Sequence, residues 1–137
     1  MSEPAAPPMR VLFCIGVNQN FFDLPTGTGG QVWTGVNTFL TELGKLPGLR
    51  PLGTIDDDQT MVGPSAAWPW TCYVLAEADA YPTVTEACNL LRTVQVGEHG
   101  LWRYLRIEAR VGRPLPEPWA DDRPAEAAGR PIEEAGA

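Results

Sequence analysis

The chain contains a single histidine, and the position of this residue makes it the first candidate for proton transfer. His99 lies within residues 97–100, a short segment that precedes a run of apolar and aromatic residues. Histidine ordinarily changes its charge near neutral pH, so His99 could act as a general acid or base. The alternative interpretation is a solvated loop histidine that takes no part in chemistry.

Two asparagines, Asn18 and Asn20, directly follow the first apolar run of the sequence, residues 10–17. Carboxamide groups at the end of a strand could orient a substrate carbonyl or stabilise an oxyanion. Asparagine also forms hydrogen bonds readily within turns. Both interpretations remain open at this point.

Three charged residues, Arg106, Glu108 and Arg110, alternate along residues 101–111. In a strand they share one face, where the two guanidinium groups could bind the carboxylate of an aromatic acid. Glu108 between them would then serve as a base or as an ion-pair partner. The alternative is a salt-bridge ladder between neighbouring strands.

Aromatic residues accompany these charges. Trp102 and Tyr104 occupy the same alternate positions as Arg106, a combination typical of an amphipathic cavity wall and unusual on a solvated face. Tyr104 is a candidate polar orienting group. Trp70, Tyr73 and Trp102 could stack on an indole ring, although aromatic residues on such a sheet also serve as interface packing.

The periodicity of apolar residues predicts the elements that position these groups. Strands are expected at residues 10–17, 49–62, 68–77 and 101–111. One helix is expected at residues 31–46, and a second opens at Tyr81-Pro82, where Thr83 and Glu86 have the spacing of a capping box. The order β-α-β-β-α-β predicts an α+β, ferredoxin-like fold with both helices on one face of a four-stranded antiparallel sheet.

The other face of this sheet would be left uncovered, with Trp102, Tyr104 and the charged residues on it. Soluble monomers rarely expose a large aromatic patch. Packing two copies face to face by a two-fold axis hides such a patch, so the sequence predicts a homodimer.

The composition sets further bounds. Residues 9–116 are expected to fold as one domain, after a flexible leader at 1–8 and before an acidic Pro/Ala-rich tail at 117–137. A net charge of −7 argues against binding nucleic acid. The sequence has no long apolar run and no paired cysteine pattern, which predicts a cytoplasmic protein outside the membrane. The acidic run 56–58 is expected to be a solvated turn rather than a metal site.

Six strings carry a family resemblance: VLFCIGVNQNFF (11–22), MVGPS (61–65), WPWT (68–71), ACNLLR (87–92), GEHGLWRY (97–104) and IEARVGR (107–113). Together they resemble the small IacB-type proteins encoded in bacterial indole-3-acetate degradation clusters. That family is similar in pattern to the dimeric α/β-barrel proteins, which include small monooxygenases and lactone isomerases. The resemblance implies a role in catabolism of indole-3-acetate or a related aromatic acid, and it implies no specific catalytic residues.

The resulting hypothesis is a homodimeric α/β-barrel enzyme that acts on an oxygenated indole or similar aromatic acid without a tightly bound cofactor. Proton transfer, ring opening and cofactor-free oxygenation are the expected reaction classes, with His99 as acid or base. Haem ligation through His99 is a lesser possibility that the superfamily raises. The alternative is a non-catalytic protein of the same pathway that binds a ligand or a partner enzyme.

Overall fold

The structure is a computed structural model, and it describes residues 9–57 and 68–121. In chain order its elements are β1 Met9–Val17, α1 Gln19–Phe22, α2 Gly29–Lys45, β2 Leu49–Asp56, β3 Cys72–Ala78, α3 Tyr81–Thr93, β4 Gln95–Val96, β5 His99–Gly100, a 3₁₀ turn Leu101–Arg103, β6 Leu105–Gly112 and α4 Pro118–Asp121. The predicted leader 1–8, the end of the second predicted strand at 58–62, the connection at 63–67 and residues 122–137 of the tail lie outside the described residues.

The main sheet has four antiparallel strands in the order β2-β3-β1-β6, so the prediction of an α+β fold with such a sheet is confirmed. β1 lies inside the sheet because its alternate residues are apolar. Phe13 is fully buried and stands between Val74 of β3 and Ala109 of β6. Burying one such side chain stabilises the fold by about 1.5–3 kcal/mol. The order of the elements is consistent with a ferredoxin-like arrangement.

Both long helices cover the same face of the sheet. The buried stripe of α2 consists of Val32, Gly35, Phe39 and Leu43, and that of α3 consists of Val84, Ala87 and Leu91. The apolar side chains of both stripes belong to one core cluster with Phe13. The predicted capping box at the start of α3 is wrong, because the cap residue is Ala80 and no side chain caps the helix there.

The fourth predicted strand begins later than expected, because residues 101–103 form a 3₁₀ turn. Leu101 enters the core from this turn, and the alternation of faces restarts at Leu105. Tyr104 and Leu105 are therefore consecutive buried residues, with exposed fractions of 5% and 4%. The prediction that Tyr104 shares a face with Arg106 is wrong, since Tyr104 packs in the core.

From Leu105 onward the predicted alternation of faces is confirmed. Ile107 and Ala109 pack against the core, whereas Arg106, Glu108 and Arg110 are exposed on the opposite side. We call this side the open face. It is formed by Arg10, Leu12, Cys14, Tyr73, Leu75, Glu77, Arg106, Glu108 and Arg110.

One end of the open face is crossed by ion pairs. Arg10 and Arg50 both approach Glu77, at 3.6 Å each, and Arg50 also pairs with Asp79 at 3.0 Å. Arg10 makes a further ion pair with Glu117, which lies beyond the predicted end of the domain at residue 116. Among the described residues, no helix is long and apolar enough to cross a membrane.

Candidate functional site

A cleft of about 520 Å³ opens on the helix side of the sheet, at the end where β1 and β2 finish and β3 begins. Three residues of α2 (Trp33, Val36 and Leu40) and the short helix α1 form its other walls. The lining residues are Ile15, Val17, Phe21, Phe22, Trp33, Val36, Leu40, Thr54, Ile55, Asp56, Pro69, Thr71, Cys72, Tyr73 and Val74.

The geometry of β2 explains why this region is uncovered. The pairing of β2 with β3 shifts in register between Pro51 and Gly53. Beyond this irregularity, Thr54 and Asp56 pair with Val74 and Cys72, yet both remain exposed. The end of β2 therefore extends past the cover of the helices and leaves a concave space.

Aromatic rings dominate one wall of the cleft. Phe21 contacts Phe22 and Trp33 edge to face, with ring centroids 5.4 Å and 5.7 Å apart. Trp33 and Phe22 remain 49% and 65% exposed, so their rings are available to a ligand. Rings held in this way are suited to bind a flat aromatic molecule.

Sequence reasoning missed all three of these aromatic residues. For Trp33 the sequence does contain an indication. It is a large aromatic residue that lies outside the buried stripe of α2, and such a residue is available for binding. Phe21 and Phe22 belong to the string at 11–22 that carries the family resemblance, and no local pattern indicates that a short helix turns them towards α2.

The polar groups of the cleft come mainly from the strand ends: the hydroxyls of Thr54 and Thr71, the Asp56 carboxylate and the Cys72 thiol. The main-chain N–H of Thr71 donates to the Ile15 carbonyl at 2.9 Å, which fixes the start of β3 against β1. Burial raises the pKa of the Cys72 thiol, so this group stays protonated at neutral pH and is a poor nucleophile. Among the described lining residues there is no lysine, arginine or histidine.

A second cluster lies at the same end of the sheet but on the open face, around Arg106. Its guanidinium group donates to Asn18 Oδ1 at 3.1 Å, to the Val17 carbonyl at 3.2 Å and to the Pro69 carbonyl at 2.9 Å. It also lies over the ring of Trp70. Arg106 therefore ties β6 to the end of β1 and to the segment before β3.

The two asparagines act on the backbone. The amide group of Asn18 donates to the carbonyls of Trp102 and Arg103, and that of Asn20 donates to the carbonyl of Arg103. The main-chain N–H of Asn18 donates to the carbonyl of Tyr104 at 2.8 Å. These bonds hold the 3₁₀ turn in place. They join residues more than 80 positions apart, so they differ from the local turn bonds that the alternative interpretation expected.

Tyr73 borders the cleft, and its hydroxyl takes part in a chain of hydrogen bonds. The hydroxyl donates to Asp57 Oδ2 at 2.8 Å and accepts from Trp68 Nε1 at 2.5 Å. Burial raises the pKa of Tyr73, the bond from Trp68 opposes this rise, and the Asp57 carboxylate adds to it. Asp57 Oδ1 is buried and has no hydrogen-bond partner in the described part of the chain.

The other predicted site residues lie apart from the cleft. His99 is exposed in the hairpin formed by β4 and β5, where it pairs with Val96. Glu108 and Arg110 form an exposed ion pair of 3.6 Å along β6, and Trp102 is 58% exposed in the 3₁₀ turn. None of these four predicted residues lines the cleft.

No protein-family model matches the sequence, and no curated protein is significantly similar to it.

Proposed function

We propose that this chain is a small enzyme of aromatic catabolism that binds an oxygenated indole or a similar aromatic molecule in the cleft beside α2. The reaction is a proton transfer of the isomerisation type, carried out without a tightly bound cofactor. Two copies pack open face against open face, in the manner of a dimeric α/β barrel.

The aromatic cleft is the observation that carries this proposal. A volume of about 520 Å³ falls within the range of about 300–1,000 Å³ that small-molecule sites have in proteins. The rings of Phe21, Phe22 and Trp33 offer flat apolar contacts, and a few polar groups at the strand ends can fix the orientation of a bound molecule. A polar aromatic molecule with two fused rings can stack on the aromatic wall and form hydrogen bonds with the polar groups.

Asp56 is the best-placed group in the cleft for proton transfer. Its carboxylate can accept a proton from a carbon next to a substrate carbonyl and return the same proton at another position, which moves a double bond with no net change in atoms or electrons. The hydroxyl of Thr54 can donate to the oxygen on which negative charge develops, whereas the hydroxyl of Thr71 already donates to the Ile15 carbonyl at 3.4 Å. In this assignment Asp56 takes the role that the sequence suggested for His99.

Two further arguments support the pathway and the dimer. The six strings that resemble IacB-type proteins connect the chain to degradation of indole-3-acetate or a related compound. The open face carries Leu12 and Leu75 side by side, both only half-buried, and a second copy would cover them.

A non-catalytic accessory protein of the same pathway is the second candidate. One observation favours it. The sequence suggested Asn18, Asn20 and Arg106 for chemistry or ligand binding, but in the structure their side chains form hydrogen bonds with main-chain carbonyls and, between Arg106 and Asn18, with each other. Such a protein would use the cleft only to bind.

The first experiment measures thermal unfolding of the full chain with indole-3-acetate, its hydroxylated and dioxindole derivatives, catechol and muconate-type acids. A ligand at 100 times its dissociation constant adds about 2.7 kcal/mol, and at roughly 4 °C per kcal/mol this raises the melting temperature by about 10 °C. Trp33→Ala should lose most of this shift. Trp102→Ala removes an exposed tryptophan outside the cleft and should keep it. No shift with any compound would contradict the proposal.

The enzyme and the accessory protein are separated by Asp56→Asn, which keeps the size of the side chain and removes its charge. If the protein is an enzyme, this variant should bind the ligand found in the first experiment and lose turnover by at least a hundredfold. A reconstituted pathway that runs at the normal rate with this variant would support the accessory role.

A further inference from the structure

The cleft is not confined to the helix side of the sheet. Its lining includes two consecutive residues of β2, Ile55 and Asp56, and two of β3, Cys72 and Tyr73. Neighbouring residues of a strand point to opposite faces, so one residue of each pair lies on either side of the sheet. Tyr73 belongs to the open face, and Ile55 pairs with it in register and shares that face. The cleft therefore extends to the rim where the two faces meet.

A single copy leaves the cleft incompletely walled. Ile55 is 61% exposed, and Phe22 and Trp33 on the helix side are 65% and 49% exposed. Small-molecule sites in proteins bury about 70–90% of the surface of their ligand. The side of the cleft next to Ile55 has no long helix over it, because α2 and α3 pack on the other face of the sheet. A flat molecule in the cleft would keep that side in water.

The open face is suited to be covered by an identical face. All five of its charged side chains have partners in the same copy: Arg10 pairs with Glu77, Arg110 pairs with Glu108, and Arg106 donates to neighbouring oxygens. Two such faces can meet without opposing unpaired charges, even though the whole chain has a net charge of −7. The apolar side chains of Leu12 and Leu75 lie between these pairs.

The surface that a second copy covers is continuous with the cleft. Leu75, in the middle of the open face, and Tyr73 are successive outward residues of β3, about 7 Å apart. Ile55 lies beside Tyr73 on β2. A second copy seated on Leu75 therefore extends to the rim of the cleft.

We infer that a second copy of the chain completes the cleft, so that binding of an aromatic ligand and formation of the dimer strengthen each other. This inference rests on the proposed function and couples its ligand to its assembly. The partner removes water from the uncovered side of the ligand and adds contacts to it. Linkage then requires that the ligand stabilises the dimer by the same factor by which the dimer improves each cleft.

Leu75→Lys tests this coupling, because Leu75 lies on the open face and does not line the cleft. The probe in titration calorimetry is each compound of the thermal panel that raises the melting temperature, beginning with the dioxindole derivative of indole-3-acetate. The folded, monomeric variant should bind the probe about tenfold more weakly than the wild-type dimer. Asn89→Lys is the matched control, because Asn89 is exposed on α3, which contributes none of the described lining residues. This control should remain a dimer and keep the wild-type affinity.

The wild-type chain provides a second test that needs no substitution. A dimer holds two clefts, so a tenfold gain at each predicts that saturation with the probe lowers the dissociation constant of the dimer by about a hundredfold. Analytical ultracentrifugation over a range of protein concentrations, with and without the probe, measures this constant. Dilution of the wild type below it should weaken probe binding to the level of Leu75→Lys.

The possible failures are distinguishable. If the folded, monomeric variant binds the probe as tightly as the wild type, or if the probe leaves the dissociation constant of the dimer unchanged, the inference is wrong while the cleft and the dimer of the proposed function stand. A wild-type chain that stays monomeric with and without the probe overturns the inference together with the proposed dimer. A flat thermal panel overturns it together with the proposed aromatic site.

Discussion

The guanidinium group of Arg106 lies over the ring of Trp70, with its central carbon 5.5 Å from the ring centroid. Gly16 lies beneath this contact, where a Cβ atom would stand 2.5 Å from the Pro69 carbonyl and 3.1 Å from Arg106. The close approach of three chain segments explains why glycine occupies this position in β1. It also indicates that Arg106 organises the end of the open face.

Arg106→Lys should destabilise the protein by about 1–2 kcal/mol, even though the charge is kept. A lysine ammonium cannot reach three acceptors in the planar fork geometry, and it stacks less well on tryptophan. Urea unfolding followed by fluorescence measures the change. Arg110→Lys is the control, because its ion pair with Glu108 is exposed and should contribute less than about 0.5 kcal/mol. Equal stability of the two variants would contradict the structural role of Arg106.

Gly35→Ala should destabilise the protein, although alanine is the better helix former. A Cβ atom at Gly35 would lie 2.8 Å from Val96 Cγ2 and 3.2 Å from Leu101 Cδ1, both in buried side chains. Overpacking costs about 1–3 kcal/mol, which exceeds the gain of about 1 kcal/mol in helix propensity.

Gly44→Ala provides the matched comparison on the same helix. In the described part of the chain, no atom packed against this side of the helix lies within 4 Å of the added Cβ, so the gain in propensity dominates and stability should rise by up to about 1 kcal/mol. Thermal and urea unfolding of the two variants would give opposite signs. The same sign for both would show that α2 does not approach β4 as described.

If two copies pack open face against open face, as proposed, Leu75→Lys should convert the dimer into a monomer. Leu75 stands beside Leu12 in the middle of the open face, where a lysine from each copy would place two charges inside the interface. Analytical ultracentrifugation measures the mass, and circular dichroism checks that the fold is retained. Asn37→Lys, at an exposed position of α2, should remain a dimer. A wild-type chain that sediments as a monomer would rule out the face-to-face assembly.

The three cysteines should react slowly with a disulfide reagent at neutral pH while the protein is folded. Burial raises the pKa of Cys14, Cys72 and Cys88, so the folded thiols bind protons that unfolded thiols release. Their contribution to stability is present below the ordinary thiol pKa and is lost as the pH rises through the folded values. Labelling rates against pH, with and without denaturant, test this. Fast labelling of the native chain at neutral pH would contradict it.

The elements with a strong local pattern could be predicted from the sequence. The helix expected at 31–46 is α2, and the first strand expected at 10–17 is β1, each within two residues of the predicted bounds. The periodicity of these segments matches one face of a helix or a strand, and burial of that face decides the structure. The inward and outward residues of β6 followed from the same rule.

The 3₁₀ turn and the cleft could not be predicted in this way, because both depend on contacts between distant residues. Asn18 holds the turn by a bond to a carbonyl 84 positions away, so local alternation suggested a strand and placed Tyr104 on the wrong side. The cleft results from the register shift in β2 and from the contact of Phe21 with Trp33. No pattern within either segment indicates these features.

Both edges of the four-stranded sheet are poorly suited to accept another strand. On β2, Pro51 lacks an N–H group, and the register shift next to it interrupts the ladder. On β6, the exposed Arg106, Glu108 and Arg110 set a row of charges along the other edge. A strand added beside β2 would lack a hydrogen bond at Pro51 and would meet an irregular ladder. A strand added beside β6 would have to desolvate the charges of that strand. Both edges of the described sheet therefore disfavour the addition of a further strand, which limits growth into fibres.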